Sequence, residues 1–350
     1  MDFISCLYYL RIKYQSGIPA NMLIAIIQLV AGFLLLVWGA DRLVAGASAT
    51  ARNLGVSPLI IGLTIIGFGT SAPELVVSAV ASLKGNSGLA IGNAIGSNIA
   101  NMGMVLGATA LIYPLRMEST ALKREYPMLL LVMLVCFFMA LDEVYSRLEG
   151  WILLIGLLAV VIWIIRIGLH RPLSDPLAEE FDAEIPKDIP TKIAVFWLMV
   201  GLIVLPISST FLVDGAITIA RILDVTDTVI GLTVVAVGTS LPELATAITA
   251  ALHKEDDLAI GNIIGSNIFN LLGVLGIAAV IHPVDLLPII LARDFPALFL
   301  ITGALYLMAS DFRGPGRIGR RSGSVLLLMF VGYVIMVWMS STRIMMDLTV

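Results

Sequence analysis

Two carboxylates, Glu74 and Glu243, each follow a proline and a Thr-Ser pair inside chain apolar enough to cross a bilayer. The segment Gly67-Phe-Gly-Thr-Ser-Ala-Pro-Glu74 returns 169 residues later as Ala236-Val-Gly-Thr-Ser-Leu-Pro-Glu243. An ionisable side chain at membrane depth is costly, which makes it a functional residue by default. Pro73 has no N–H, so the carbonyl of Gly69 loses its helical partner, and Pro242 does the same to Gly238. Carbonyls of the preceding turn, including those of Gly67, Thr70, Ala236 and Thr239, are then able to turn inward. Ser71 and Ser240 add hydroxyls, and the glutamates add charge. Every donor is an oxygen. Such a set suits a hard cation, Ca²⁺ taking six to eight oxygens at about 2.3–2.6 Å. His253 and His282 lie at span ends and are not expected to be ligands.

Two carboxylates about 4 Å apart repel by roughly 4 kcal/mol at an effective dielectric near 20. Without a cation the pair is therefore expected to take up a proton. Two negative charges match one Ca²⁺, two Na⁺ or two protons, and binding of one excludes the others, which is what exchange at a single site requires.

A second block, Leu89-Ala-Ile-Gly-Asn-Ala-Ile-Gly-Ser-Asn-Ile-Ala-Asn101, is matched by Leu258-Ala-Ile-Gly-Asn-Ile-Ile-Gly-Ser-Asn-Ile-Phe-Asn270. On a helix Asn93, Ser97 and Asn101 fall at i, i+4 and i+8 along one face, and Asn262, Ser266 and Asn270 repeat the stripe. These residues are expected to line the site, with helix-to-helix hydrogen bonding as the plainer reading of Asn93 and Asn262. Asn98 and Asn267 lie off the stripe and read as packing. Gly92, Gly96, Gly261 and Gly265 form small-x3-small pairs that let helices approach closely.

The elements that must hold these groups are membrane helices. Hydrophobic residues make up 59% of the 350-residue chain and charged ones 13%, against about half and about a quarter in soluble domains. At about 20 apolar residues per crossing, ten spans are predicted, near 22–41, 56–83, 88–113, 126–142, 150–169, 193–213, 225–252, 257–282, 295–310 and 324–341. The second, third, seventh and eighth are rich in Gly, Ser, Thr and Asn, and so are built to line something, since polar groups facing lipid go unsatisfied. The fold class is an all-α polytopic membrane protein.

Residues 1–21 read as an N-terminal extension, with Met22 as an alternative start. Residues 22–170 form a first five-helix repeat, 171–192 an acidic cytoplasmic linker, and 193–350 a second repeat. Laid over each other at an offset of 169, residues 61–107 and 230–276 agree at 26 of 47 positions. An odd number of spans per half inverts the second half relative to the first, the recurring plan of secondary transporters. Placing both termini outside leaves fourteen Lys and Arg on the linker side against seven opposite, as the positive-inside bias asks. That count puts Arg293 in an outer loop. No signal peptide is read. Cys6 and Cys136 are the only cysteines, so neither a disulfide framework nor a thiolate metal site is expected. No cofactor, nucleic acid or obligate protein partner is implied; the partners are ions and the lipid bilayer.

With its paired Gly/Ala-x-Gly-Thr-Ser-x-Pro-Glu and Gly-Asn-x-Ile-Gly-Ser-Asn-Ile-x-Asn blocks, the chain resembles the cation/Ca²⁺ exchanger superfamily, in particular prokaryotic Na⁺/Ca²⁺ exchanger-like inner-membrane proteins. The resemblance covers nearly everything after Met22. It implies ten helices in two inverted five-helix repeats and an antiporter exchanging Ca²⁺ for Na⁺ by alternating access. Ca²⁺ would be held by Glu74 and Glu243 with the carbonyls of Thr70 and Thr239. Sodium would use Ser71, Ser97, Ser240 and Ser266 with the carbonyls of Gly67 and Ala236, and Asn101 and Asn270 would line the middle.

Asn270 departs from the K⁺-dependent branch, which has an aspartate there, so K⁺ cotransport is not expected. The proton-coupled branch has Asn rather than Thr-Ser ahead of its glutamate, which favours sodium, with an H⁺-coupled divalent-cation antiporter as the alternative. A cation channel is the competing class, but an inverted duplication in one chain suits alternating access better than a continuous pore. An intramembrane enzyme using Ser71 and Glu74 lacks an orienting third group, so the chain is not read as an enzyme.

Overall fold

The computed structural model describes residues 20–117, 122–169, 185–186, 189–309 and 316–347. The N-terminal extension and nearly all of the acidic linker lie outside the described residues. Ten helices follow in order: α1 (Ala20–Asn53), α2 (58–83), α3 (Ser87–Ile112), α4 (Leu122–Met139), α5 (Arg147–Leu169), α6 (Thr191–Leu223), α7 (Asp227–Leu252), α8 (256–281), α9 (290–309) and α10 (Arg320–Asp347). Among the described residues, nine are long and apolar enough to cross a membrane; α2 is split at Thr70 and Ser71 into shorter pieces. The chain is an all-α, multi-pass membrane protein.

Burial sorts the helices. In α3 and α8, 78% of the membrane-length window is buried, against 17% in α5. Leu34, Phe138, Ile155, Leu300 and Leu328 stand exposed on the outer helices. Apolar side chains facing outward are what a lipid environment asks for, and close van der Waals packing rather than burial from water must join the helices there.

Three sequence-predicted boundaries are corrected. The first and sixth spans were expected to stop near 41 and 213, but α1 and α6 run on to Asn53 and Leu223. The charges that interrupt the apolar run are accommodated. Arg42 lies 4.9 Å from the centre of the Trp197 ring and 5.9 Å from that of Trp38, and Asp214 pairs with Lys84 at 2.5 Å. The ninth span begins at Ile290 rather than 295, with a π-helical turn, Ile290–Asp294. Arg293 is consequently not a free loop charge: it is buried against Asp294 at 2.7 Å, and the Tyr333 hydroxyl donates to the same carboxylate at 2.9 Å.

The long helices α1 and α6 pack antiparallel. A Cβ added at Gly32 would meet the backbone of Leu212 at 2.8 Å, and one at Gly46 would meet that of Leu198 at 2.3 Å. Gly32, Gly39 and Gly46 recur every seven residues, a close-approach face that the block-by-block sequence reading passed over. The fifth helix of each half packs on the third helix of the other: α10 on α3, where an added Cβ at Gly323 would meet the Gly107 carbonyl at 2.7 Å, and α5 on α8, where one at Gly150 would meet the Gly276 carbonyl at 2.9 Å. Two short antiparallel ladders repeat this exchange. Leu115–Met117 after α3 pairs with Gly316–Ile318 before α10, and Val144–Tyr145 before α5 pairs with Val284–Asp285 after α8.

Candidate ion-binding centre

Both repeated Pro-Glu segments break their helix at the serine. Ser71 (φ −86°, ψ 6°) and Ser240 (φ −81°, ψ 3°) occupy the sparsely populated bridge region, where functional residues are often found. Pro73 and Pro242 sit in the first turn of the helix piece that follows, so their missing N–H falls where helices leave donors unpaired anyway. Glu74 and Glu243 occupy that same turn. π-Helical turns stand at matching places in the two halves, Gly62–Ile66 with Gly231–Val235 and Asn101–Val105 with Asn270–Val274. Such turns shift side chains round the helix and are frequent at functional sites.

The breaks meet at the centre through reciprocal hydrogen bonds between halves. The Thr239 hydroxyl donates to Asn93 Oδ1 at 3.0 Å and lies 3.3 Å from Ser97 Oγ. Correspondingly, the Thr70 hydroxyl reaches Asn262 Oδ1 at 3.5 Å and lies 3.3 Å from Ser266 Oγ. Ser71 Oγ and Ser266 Oγ donate to Glu243 Oε1 at 3.3 and 3.4 Å. Asn93 also donates to the Glu74 carbonyl at 3.1 Å and to Ser78 Oγ at 2.9 Å, which fixes the start of the Glu74 helix piece.

Hydrogen bonds join Thr70, Ser71, Ser97, Thr239, Glu243 and Ser266 here, and the other predicted side chains lie on the same four helices. Thr70, Ser71, Glu74, Ser97, Asn101, Thr239, Ser240, Glu243, Ser266 and Asn270 are all buried. Both oxygens of Glu74, Oε2 of Glu243, Oγ of Ser240, Oδ1 of Asn101 and both polar atoms of Asn270 have no hydrogen-bond partner among the described residues. Buried polar atoms are ordinarily paired, so this concentration of unpaired oxygens, two of them on a full carboxylate, marks a set of donors suited to a cation. No group of three or more His, Cys, Asp or Glu gathers among the described residues. The donors are two carboxylates among neutral oxygens.

Three details were not legible in the sequence. Asn93 and Asn262 bond helix to helix, as their plainer reading expects, but that their partners are the threonines of the opposite half shows only in the structure. Asn267 accepts from Asn101 Nδ2 at 3.0 Å and donates to the Asn98 carbonyl at 3.2 Å, so it orients a predicted site residue. The two backbone carbonyls expected to match also differ. The Ser240 N–H donates to the Ala236 carbonyl at 3.1 Å, whereas the Ser71 N–H goes to Phe68 and not to Gly67.

The halves differ again in packing. Gly92 and Gly96 of α3 press on α7, where an added Cβ would meet the Thr228 carbonyl at 2.6 Å and the Leu232 carbonyl at 2.7 Å. At Gly265 of α8, the counterpart of Gly96, an added Cβ would meet nothing within 4 Å. Ala245 and Thr249 of α7 are exposed, while their counterparts Val76 and Val80 of α2 are half-buried. A cavity of about 440 Å³ lies between α1, α2 and α7, lined by Asp41, Ser48, Thr70, Pro242, Thr246 and Thr249 among others.

A family profile described as sodium/calcium exchanger protein matches twice, at residues 24–166 and 193–339. CaxA of Alkalimonas amylolytica is 47% identical over 89% of this chain and 98% of its own length. The inner membrane protein YrbG of Escherichia coli (strain K12) is 40% identical over 91% of this chain and 98% of its own. A solved structure of the sodium-calcium exchanger NCX_Mj, soaked with Na⁺ and Sr²⁺, has a TM-score of 0.62 at 32% identity, over 90% of this chain and 98% of that one.

Proposed function

The chain belongs to the sodium/calcium exchanger protein family, and from that premise we propose how its residues carry out exchange. The protein is a secondary active antiporter that exchanges Ca²⁺ for Na⁺ by alternating access, a transporter and not an enzyme. The observation that carries the residue-level reading is the meeting of Glu74 and Glu243, from two matching helix breaks, with unpaired oxygens around them.

Ca²⁺ binds between the two carboxylates with help from the carbonyls of Thr70 and Thr239. Its double charge offsets their mutual repulsion, and the surrounding oxygens replace its water. Na⁺ takes flanking positions on the hydroxyls of Ser71, Ser97, Ser240 and Ser266, with Asn101 and Asn270 lining the middle. The Gly67 carbonyl is the better placed backbone ligand in this conformation. That of Ala236 already accepts the Ser240 N–H and serves only after the α7 break rearranges. Ion sets whose charge the pair can balance compete for one place, so each displaces the other.

The halves 22–170 and 193–350 form inverted repeats joined by a linker, 171–192, on the cytoplasmic side of a prokaryotic inner membrane. The two matches to one family profile, the exchanged fifth helices and the two exchanged strand ladders all support this plan. Cysteines introduced singly at Ser174 and Thr349 should react with an impermeant thiol reagent from opposite sides of the membrane. Reaction of both from the same side overturns the inverted arrangement.

In that orientation the tight α3–α7 contact seals the outer side, and the cavity between α1, α2 and α7, together with the looser packing at Gly265, opens the inner side. An interface tight in one half and loose in the other is what alternating access needs, because exchanging the two packings moves the opening without moving the site. Purified protein in liposomes should take up ⁴⁵Ca²⁺ against its gradient when Na⁺ is loaded inside, and should stop when the Na⁺ gradient is collapsed. Passive equilibration that ignores the Na⁺ gradient is the result expected of a channel and rejects exchange.

A further inference from the structure

The geometry points to a second cation-handling position outside the four-helix centre: the Asp41 carboxylate, at the floor of the inner cavity beside Thr70, receives a partly hydrated cation between the central carboxylates and the linker side. Asp41, Ser48 and Thr70 line the same cavity of about 440 Å³, with Thr246 and Thr249 on the facing helix. The inference rests on the exchange reading for the identity of the ion, but not for the position itself.

Helix geometry orders these residues. Asp41 and Ser48 are seven residues apart on α1, two turns along one face, about 10 Å of rise. Val44, between them, stands level with Gly69, where an added Cβ would meet Val44 Cγ2 at 2.5 Å. The α1 end nearer Ser48 lies by the linker, since Asn53 Nδ2 donates to the Ile189 carbonyl at 2.9 Å, and Pro186 of the linker also lines the cavity. Thr249 and Ser48 therefore stand toward the mouth, and Asp41, Thr70 and Pro242 toward the floor.

Two observations say that the lining handles a charge. The Asp41 side chain is 64% exposed, and Arg42 approaches only its Oδ2, at 3.4 Å, while the Arg42 guanidinium lies over Trp38 and Trp197 and does not line the cavity. Ser48 is 1% exposed, yet its hydroxyl has no hydrogen-bond partner among the described residues. A carboxylate at the floor of a low-dielectric cleft focuses its field along the cleft and concentrates cations there. The counterparts of Asp41 and Ser48 in the second half are Thr210 and Ile217, so this acidic position serves one side of the membrane only.

The test is a cysteine at Thr249, which is exposed in the cavity, with Thr246→Cys as the second reporter should Thr249→Cys fail to fold, both in a Cys6→Ser background. Impermeant methanethiosulfonates bearing a quaternary ammonium or a sulfonate are applied from the linker side at low ionic strength, with rates normalised to a free thiol. The cationic reagent should react about tenfold faster, and adding Asp41→Asn should bring the ratio close to one. In liposomes, Asp41→Asn should raise the half-saturating Ca²⁺ on the linker side about three- to tenfold. It should leave the opposite side unchanged, and Asp41→Glu should restore both readings. A charge ratio indifferent to Asp41→Asn, or an equal loss of affinity on both sides, overturns the proposal. If the wild type shows no Na⁺-driven Ca²⁺ flux, the exchange reading fails while the thiol ratio still decides the role of Asp41.

Discussion

Glu74→Gln and Glu243→Gln are each expected to abolish Na⁺-driven Ca²⁺ uptake, by at least about a hundredfold. Removing one member of a buried charged set costs about 3–5 kcal/mol because the remaining charge is left uncompensated, and every 1.4 kcal/mol is a factor of ten. The amide keeps the size and one oxygen of the carboxylate and loses only the charge, so the comparison isolates electrostatics from packing. Both residues are fully buried and neither has a basic partner among the described residues, so no other charge can take over. The effects should differ in one respect. Glu243 Oε1 accepts from Ser71 and Ser266, whereas neither oxygen of Glu74 has a partner. The Gln amide oxygen can keep both serine bonds but loses their charge assistance, so Glu243→Gln should disturb Na⁺ dependence more than Glu74→Gln in whatever flux remains. Initial rates of ⁴⁵Ca²⁺ uptake check this, and robust exchange by either variant overturns the assignment. Asn101→Ala and Asn270→Ala should cost less, since each removes only a neutral lining group.

Coupling is the second large effect. Ser97→Ala and Ser266→Ala should raise the Na⁺ concentration that drives half-maximal exchange by about fivefold, the equivalent of one neutral polar interaction near 1 kcal/mol. Apparent Ca²⁺ affinity should change much less, because it depends chiefly on the two carboxylates. Ser97→Ala is the cleaner variant. Ser97 Oγ contacts Thr239 Oγ1, whereas Ser266 Oγ donates directly to Glu243. Protons compete for the same carboxylates: protonation removes the charge that Ca²⁺ needs, so exchange should weaken as pH falls at constant Na⁺. The measurement that separates sodium from proton coupling is a Na⁺ gradient at fixed pH against a pH gradient without Na⁺. Ca²⁺ uptake driven equally well by the pH gradient alone would make the serines packing residues and the protein a proton-coupled exchanger.

Much of the site was readable from the residue order because cost and repetition both point to it. A glutamate and a proline in an apolar span are expensive once; finding both again at a fixed offset, beside a second repeated stripe of Asn and Ser, leaves few uses other than an ion. Apolar length alone predicts ten spans; nine are membrane-length helices among the described residues, and the second is split at Thr70 and Ser71. Helix ends were less legible. Asp41, Asp214 and Arg293 read as span boundaries, since charge normally marks water, but a cavity, a lysine and a neighbouring aspartate hold them within helices instead.

What the sequence determined by itself was therefore the class of protein and the placing of its apolar spans, with the two carboxylates and the neutral oxygens around them as candidates, all consequences of local chemistry and local period. Only the tertiary structure decided which half touches which. The fifth helices and short strands are exchanged between halves, Asn93 and Asn262 hold threonines of the opposite half, and Asn267 orients Asn101. Nor does the sequence distinguish the two glycine faces. Gly96 and Gly265 stand in the same motif, yet one is pressed against a helix and the other faces open space. The physical reason is that a repeated motif encodes two similar interfaces, while a transporter open to one side holds only one of them closed. That difference is a property of the packed state, since Gly96 and Gly265 themselves are the same residue in the same motif.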